Sequence, residues 1–274
     1  MKKRKKIKWK NIIIILIFLC CSFGLIFSIV NIIKWNLDSN NTDKQITDIQ
    51  ETVDINEVDD TDSTEIIEQI EEDKADPYWD YIKMNLIDVN FNNLKKVNKQ
   101  TIGWIQVNGT NINYPFVQTT DNKYYLTHTF DKSYNTAGWV FLDYRNKLDG
   151  TDKNTIIYAH GRLDKTMFGS LKNILSSGWL NNSNNYVVKL STEYENTLWQ
   201  VFSVYHIPTT SDYLKVDFND NNDFLEFANM LLNRSSHNFN TTISATDKIL
   251  TLSTCYNDND KVVLHAKLIK RETR

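Results

Sequence analysis

The chain is 274 residues long, 41% hydrophobic and 24% charged, with a formal net charge of −3 at pH 7. This length is enough for one domain with a substantial core and for additional segments. The near balance of acidic and basic residues excludes the large basic surface by which proteins bind nucleic acid.

The N-terminus combines a basic cluster with a long apolar run. Residues 1–10 carry seven Lys and Arg residues, and residues 11–33 form an uncharged run of 23 residues rich in Ile, Leu and Phe. A helix of this length crosses the ~30 Å of bilayer hydrocarbon, and the basic cluster favours a cytoplasmic N-terminus. A cleaved signal peptide is the alternative, but the run is long for one and no A-x-A-like site follows it. We predict a cytoplasmic segment at 1–10 and a single-pass transmembrane anchor at 11–33, with the rest of the chain outside the cell.

Residues 34–76 are rich in acidic residues. Between Asp38 and Asp76 there are 15 Asp and Glu residues against two Lys, with no aromatic residue, Gly or Cys. Such a segment cannot bury enough apolar surface to offset the entropy lost on ordering. We therefore predict a disordered stalk that lifts the next domain off the membrane, with a specific acidic binding tail as the alternative.

Residues 77–274 are predicted to form one near-neutral domain of 198 residues. Pro77 favours a helix start, Tyr78–Leu86 offers an apolar face, and a second short helix is predicted at Val89–Lys96. The pattern then changes to β-rich runs, at Trp104–Val107, Ile112–Phe116, Trp139–Leu142, Thr155–Ala159, Tyr186–Leu190, Leu198–Tyr205, Ile249–Leu252 and Val262–Leu268. Eight short strands predict a mainly β fold, an eight-stranded closed β-barrel, since closure removes exposed strand edges.

Two helical segments interrupt the strands. Met167–Leu175 is short, and Asn222–Asn233 lies between the sixth and seventh strands with its apolar residues on roughly one face. This apolar stripe favours core packing. The alternative is that the inserted helix forms one wall of a substrate groove.

Cys255 is the strongest candidate for a catalytic residue. The other two cysteines, Cys20 and Cys21, lie in the apolar run, so Cys255 has no disulfide partner within the predicted domain. It ends a strand where the polar turn Tyr256–Asp260 begins, and a thiol at such a position is held rigidly yet meets solvent. The alternative is a buried cysteine that only packs, because free Cys is among the most buried residue types.

A cysteine nucleophile is normally activated by an imidazole, and His160 is placed best among the five histidines. It follows the apolar strand Ile156–Ala159 and precedes Gly161, so it also stands at a strand end that opens into a loop. His206 precedes Pro208 and His265 falls within a strand, so both are expected to be structural.

Several of these segments carry a resemblance to a known family. Thr251–Cys255 resembles the TLSTC signature of sortases, the cysteine transpeptidases of Gram-positive bacterial surfaces. Tyr158–Gly161 with Met167–Leu171 resembles the histidine region of class B sortases, and Gly138–Asn146 and Asp121–Leu126 also resemble class B segments. The resemblance covers essentially all of residues 77–274, in the same order. It implies a sortase-type barrel with N-terminal helices, in which Cys255 and His160 are catalytic.

One position departs from the family pattern. The resemblance implies a third catalytic residue, an arginine at the start of the last strand, and this chain has Lys261 there. Lysine supplies a point charge without the planar, two-pronged donor set of guanidinium. Lys261 is the expected replacement, and the alternatives are Arg234 or Arg162 reaching in from elsewhere, or weakened activity.

The resemblance implies that Cys255 attacks a Thr–X bond in a C-terminal sorting signal of secreted proteins, Asn-Pro-x-Thr-like by analogy. An amine of the cell-wall (peptidoglycan) precursor or of a pilin then takes the acyl group. Ser253, on the same strand face as Cys255, and its neighbour Thr254 are expected to line the substrate groove. The sequence indicates no metal cluster, no phosphate loop and no cofactor. The alternatives are a membrane-anchored cysteine protease that releases to water, or a catalytically decayed scaffolding barrel.

Overall fold

The computed structural model describes residues 9–67, 78–257 and 259–274. Most of the predicted cytoplasmic segment, the last part of the predicted stalk and Pro77 lie outside these ranges. The first described element is a long helix, α1 (Trp9–Thr52). Its most apolar part has a mean hydropathy of 3.0 and is not buried against the rest of the protein, so it is a candidate membrane span.

The described residues contain short helices and eleven strands. The helices after α1 are α2 (Tyr78–Tyr81), α3 (Asn92–Val97), α4 (Ser177–Leu180) and α5 (Asn221–Arg234), with 3₁₀ segments at Tyr124–Leu126, Gly169–Leu175 and Ser183–Asn185. The strands are β1 (Ile55–Val58), β2 (Thr64–Ile66), β3 (Leu86–Val89), β4 (Thr101–Val107), β5 (Asn113–Val117), β6 (Phe141–Leu142), β7 (Asn154–Tyr158), β8 (Val187–Thr192), β9 (Glu195–Pro208), β10 (Ile249–Cys255) and β11 (Asp260–Thr273).

Eight strands form the predicted closed barrel, which is confirmed. The order β10-β7-β6-β5-β4-β8-β9-β11 closes because β10 also pairs with β11. Most neighbours are antiparallel, whereas β7 pairs with β10, and β5 with β6, in parallel. A parallel pair needs a crossover connection, and between β7 and β10 that connection contains β8, β9 and α5.

The barrel core is made by the apolar residues of the β-rich runs. Trp104, Phe116 and Trp139 are almost fully buried in it. A second cluster lies under α5, where Phe224, Phe227 and Leu231 pack against residues of β9 and β11. The apolar stripe of α5 therefore packs on the barrel, as its spacing favours.

The expectation of a disordered stalk is wrong for the described residues 34–67. Residues 34–52 continue α1, β1 pairs with β3, and β2 adds to the edge of β11. The barrel supplies countercharges that composition alone does not reveal: Lys270 Nζ lies 2.5 Å from Asp60 Oδ1, and Arg271 Nη2 lies 2.6 Å from Glu65 Oε2. The side chain of Ile49, 7% exposed, also joins the core.

The first predicted helix of the domain is much shorter than expected. α2 ends at Tyr81, and Leu86 instead begins β3, whose Leu86, Ile87 and Val89 are buried. Tyr78, Tyr81 and Leu86 of the predicted apolar face are buried, whereas Trp79 is exposed. The partner of β3 is β1 from the acidic segment, which the sequence pattern did not predict as structured. The second predicted helix is present as α3.

Candidate active site

Two parallel strands bring Cys255 and His160 to one edge of the barrel. Ser253 of β10 is in register with Tyr158 of β7, and both strands run in the same direction. Cys255 ends β10 and His160 lies two residues beyond the end of β7, so both stand at the same edge of the barrel, where they line one groove. Residues 95 positions apart in the sequence are thereby brought to one groove.

The two strand ends are packed tightly against each other. Thr254 Oγ1 donates a hydrogen bond of 2.9 Å to the carbonyl oxygen of Ala159. A Cβ atom at Gly161 would lie 2.1 Å from the carbonyl oxygen of Cys255, so only glycine permits this approach. These contacts fix the backbone next to Cys255 and next to His160.

Lys261 is the cation that the structure brings to the sulfur. It pairs with Cys255 across the β10–β11 hairpin, and its Nζ lies 2.9 Å from Cys255 Sγ. The two arginines considered as substitutes bind carboxylates elsewhere. Arg234 Nη1 and Nη2 lie 2.9 and 2.5 Å from the carboxylate oxygens of Asp212, and Arg162 Nη2 lies 2.6 Å from Asp164 Oδ2.

The imidazole of His160 is oriented by a backbone group. Its Nε2 lies 2.8 Å from the carbonyl oxygen of Leu126. A carbonyl oxygen only accepts, so Nε2 carries the hydrogen in this bond, and in the neutral ring Nδ1 has the acceptor lone pair. The loop that follows is closed by a bridge between Gly161 and Met167, which holds the histidine at its base.

The other histidines make different contacts. His206 Nε2 lies 3.1 Å from Asp260 Oδ2. His265 is fully buried between Tyr205 Oη at 2.8 Å and Thr251 Oγ1 at 2.9 Å, and burial lowers its pKa to about 3. Their positions agree with the structural roles expected for them.

A groove of about 690 Å³ opens beside Cys255, His160 and Lys261. Ser253 and Thr254 both line it, although the Thr254 hydroxyl is already bonded to Ala159. Ser253 Oγ lies 3.0 Å from the hydroxyl of Tyr213, which lies in the connection between β9 and α5. The remaining lining residues are Asn122, Leu126, Phe141, Tyr158, Ala159, Thr209, Thr210, Ser211 and Leu214.

Most of these lining residues were not predicted. Tyr213, with Thr209–Ser211 and Leu214, lies in an irregular segment that has no periodicity to read. It is this connection, and not the apolar stripe of α5, that forms a wall of the groove. The only sequence signal for the opposite wall was the resemblance of Asp121–Leu126 and Gly138–Asn146 to class B segments.

A buried carboxylate supports one side of the groove. Arg145 Nε and Nη2 lie 2.8 and 2.7 Å from the Asp143 oxygens, and the Tyr158 hydroxyl donates to Asp143 Oδ2 at 2.9 Å. Burial raises the pKa of Asp143, but the hydrogen bonds from Arg145 and Tyr158 outweigh it, and the pKa is lowered overall. Burial and the neighbouring carboxylate raise the pKa of Tyr158. Asp143 is thus ionised and fully engaged, and it orients the Tyr158 ring that lines the groove.

Comparison with known proteins identifies the family. A family model described as a sortase domain matches residues 105–269. The chain belongs to the sortase family. Within the residues that the structure describes, this sortase has no cluster of His, Cys, Asp and Glu side chains that could hold a metal ion.

The similar proteins are class B sortases, so the predicted class is confirmed. Sortase B of Staphylococcus aureus is 34% identical over 184 residues, which cover 66% of this chain and 75% of the relative. Sortase B of Listeria monocytogenes is 34% identical over 186 residues, or 65% and 73%. This sortase is accordingly a cysteine transpeptidase that anchors surface proteins to the cell wall.

Solved structures agree with this assignment. Sortase B from Bacillus anthracis in complex with AAEK2 is 32% identical, with a TM-score of 0.64 over 84% of this chain and 94% of that one. A Staphylococcus aureus sortase B–substrate complex is 34% identical, with a TM-score of 0.61 over 66% and 84%. A sortase B complexed with triglycine is 33% identical, with a TM-score of 0.62 over 66% and 85%.

Proposed function

We propose that Cys255 is the nucleophile of this transpeptidase, that His160 is its general acid and base, and that Lys261 stabilises negative charge. The observation that supports this assignment is the 2.9 Å contact between Cys255 Sγ and Lys261 Nζ, at the barrel edge to which β7 also carries His160. A nucleophile, a proton carrier and a fixed cation around one groove are the groups that acyl transfer requires.

The reaction has two halves. Cys255 Sγ attacks the carbonyl carbon of a Thr–X bond, and the oxygen takes the negative charge of the tetrahedral intermediate. The C–N bond breaks as His160 gives a proton to the departing amine, which leaves a thioester on Cys255. A second amine then attacks the thioester and loses a proton to His160. The new amide is released, and the thiolate is restored.

Lys261 carries the role that the family pattern gives to arginine. Its ammonium is close enough to Sγ to hold the thiolate, and a short movement brings it to the oxygen that develops charge. An ammonium holds one oxygen at a time as a point charge, whereas a guanidinium holds two through a planar fork. We therefore expect Lys261 to stabilise the oxyanion with less control over the peptide orientation.

The groove fits an extended peptide. Its walls are largely apolar, and Ser253 and Tyr213 provide hydroxyls along one side. We propose that it takes a C-terminal sorting signal of a secreted protein, Asn-Pro-x-Thr-like by analogy with class B sortases. A related sortase B is complexed with triglycine, and the terminal amine of such a peptide is the expected acceptor in this chain. This favours a cell-wall precursor peptide over a pilin lysine.

The proposed location follows from α1. Residues 11–33 would anchor the enzyme in the cell membrane by a single pass, with residues 1–10 on the cytoplasmic side and the barrel outside. Secreted substrates and cell-wall amines are both found on that side of the membrane.

The test is amide formation by the full chain in detergent, with an Asn-Pro-x-Thr-like peptide and triglycine. Cys255→Ala and His160→Ala should each lose activity by at least ~10³-fold, because both act in every turnover. Cys20→Ser with Cys21→Ser is the matched control and should keep the wild-type rate. Peptide cleavage without triglycine in the product would favour the protease alternative, and near-wild-type turnover by Cys255→Ala would exclude this cysteine as the nucleophile.

A further inference from the structure

The barrel contacts α1 almost immediately after the apolar run ends. Lys34 is the first charged residue after that run, and Asp38 and Ser39 already bind the barrel. Thr136 Oγ1 donates to Asp38 Oδ2 at 2.5 Å, and Ser39 Oγ donates to Asp164 Oδ2 at 2.9 Å. At ~1.5 Å per residue, Ser39 lies only about 8 Å along the helix from Lys34. That is close to the ~6 Å depth of one headgroup layer.

Two loops of the barrel flank α1 at this level. They are residues 131–136 and residues 162–166, named here the two proximal loops. The side chain of Tyr134 is 71% exposed, and that of Leu163 is 86% exposed. Lys132 and Lys165 are also exposed. Trp35, 43% exposed, lies on α1 at the same height, with the Arg162 guanidinium 5.9 Å from its ring.

The second proximal loop is fixed to α1 by charged and polar contacts. Arg162 Nη2 donates to Asp164 Oδ2 at 2.6 Å and to Ser39 Oγ at 2.5 Å. Burial raises the pKa of Asp164, but hydrogen bonds from Arg162, Thr166 and Ser39 outweigh it and lower the pKa to about 2. The carboxylate is therefore ionised and neutralised by Arg162. Leu163 and Lys165 flank Asp164 in this loop, and their side chains are exposed.

We propose that the two proximal loops rest on the outer surface of the membrane that α1 crosses. Leu163 and Tyr134 reach into the lipid interface beside Trp35, and Lys132 and Lys165 lie among anionic headgroups. Single exposed apolar residues are ordinary. Here, however, aromatic, aliphatic and lysine side chains share one level next to the end of an apolar helix, which is the composition of a membrane-interface belt. The inference rests on the proposed anchoring role of α1.

This contact would hold the catalytic groove at the membrane surface. His160 lies two residues before Arg162, so the catalytic imidazole stands at the base of the second proximal loop, which meets the lipid. The acidic segment does not lift the domain away, because it folds back along the barrel as the end of α1, β1 and β2. A substrate that is itself held in the membrane would then reach Cys255 without leaving the surface.

The first test measures the depth of single labelled cysteines in the full chain, inserted in nanodiscs of phosphatidylcholine and phosphatidylglycerol. The three native cysteines are first removed by Cys20→Ser, Cys21→Ser and Cys255→Ala. A single new cysteine, from Leu163→Cys, Tyr134→Cys or Tyr194→Cys, then carries the fluorescent label. Tyr194 is the matched control because its side chain is 70% exposed. Its neighbour Glu193 shares a cleft with Asp54, beyond the far end of α1.

Headgroup-attached quenchers should quench the labels at 163 and 134 about tenfold more than the label at 194. Equal quenching at all three positions would overturn the proposal. A label on native Cys21, restored in the same background, reports whether α1 is inserted. If that label is not quenched by acyl-chain quenchers, the anchor fails and the proposal fails with it. The proposed catalytic roles of Cys255, His160 and Lys261 are tested separately, by the assay of amide formation in detergent.

The second test compares a membrane-tethered sorting peptide with the same peptide free in solution. Leu163→Asp and Tyr134→Asp should lower the rate with the tethered peptide about tenfold, which corresponds to ~1.4 kcal/mol. They should leave the rate with the free peptide unchanged, and Tyr194→Asp should change neither. An equal loss with both peptides, or no loss with either, would overturn the proposal.

Discussion

At the scale of single residues, the ammonium of Lys261 is the feature that separates this chain from the family pattern. Lys261→Ala removes the cation 2.9 Å from Cys255 Sγ, and kcat/KM should fall roughly 10²–10³-fold, the usual effect of losing one oxyanion donor. Lys261→Arg should keep activity because the charge remains and the fork adds a second donor. Single-turnover and steady-state rates of amide formation measure both variants.

The controls distinguish a lost charge from a lost fold. Lys172 is a nearby lysine whose Nζ lies 5.5 Å from the centre of the Tyr256 ring, and Lys172→Ala should keep the wild-type rate. A melting curve must accompany each variant. If Lys261→Ala is as fast as wild type while Arg162→Ala or Arg234→Ala is inactive, an arginine and not Lys261 serves the oxyanion.

Residue types and strand ends were enough to select the candidate catalytic groups, but not their surroundings. Cys255 and His160 were selected because each ends an apolar strand, and the structure places both at one edge. The carbonyl of Leu126 orients His160 from a 3₁₀ segment, and the hydroxyl of Tyr213 meets Ser253 from an irregular connection. Apart from the resemblance of Asp121–Leu126 to class B segments, neither position has a local sequence signal, because each is fixed by tertiary packing.

At the scale of elements, the second half of α1 belongs to the folded domain. Deletion of residues 1–34 should give a soluble enzyme that is active on free peptide, because the contacts of Asp38, Ser39 and Ile49 remain. Deletion of residues 1–52 should lower the stability, since burial of Ile49 alone contributes ~1.5–3 kcal/mol. Thermal melting of the two truncated proteins measures the difference.

Two results from the truncated proteins would contradict this prediction. Equal melting temperatures for the two truncations would mean that residues 35–52 add nothing to the fold. A soluble but inactive protein lacking only residues 1–34 would mean that the apolar run has a role beyond anchoring.

The eight barrel strands were predictable because each contains a β-rich apolar run bounded by polar residues, although β9 and β11 extend well beyond their predicted runs. The three strands outside the barrel, β1, β2 and β3, were not. In β1 and β2 no residue is buried, and the bases that bind their carboxylates, Lys189 for Glu57 and Arg271 for Glu65, lie far along the chain. The composition of the acidic segment shows only its own carboxylates. Whether the segment folds also depends on the basic residues of the barrel that bind those carboxylates, and composition does not show them.

At the scale of the whole molecule, the buried His265 makes stability depend on pH. Its pKa is lowered from 6.5 to about 3 by burial, so the folded protein keeps it neutral while the unfolded chain takes up a proton. The unfolded state therefore binds more protons between these values. The free energy of unfolding should fall as pH falls from about 6 to about 5, by ~1.4 kcal/mol per pH unit for this one group.

Denaturant unfolding at several pH values between about 6 and about 5 measures how steeply the free energy of unfolding depends on pH. Above about pH 5 the buried Asp143 and Asp164, whose pKa values are lowered, stay ionised in the folded protein and add little. His265→Gln can still bond Tyr205 and Thr251 and should show a shallower slope, even if it is less stable. His237→Gln, at a partly exposed position, should keep the wild-type slope. An unchanged slope in His265→Gln would contradict the prediction.

The parallel pairing of β7 with β10 has a further consequence, because 90 residues, 159–248, separate the two strands in sequence. A break at the exposed Asn240, between α5 and β10, would leave His160 on one fragment and Cys255 with Lys261 on the other. Neither fragment would hold the complete machinery. The smaller one would be a single hairpin that docks between β7 and β9. With the roles proposed above for Cys255, His160 and Lys261, each fragment alone should be inactive, and transpeptidation should return only when the two fragments associate.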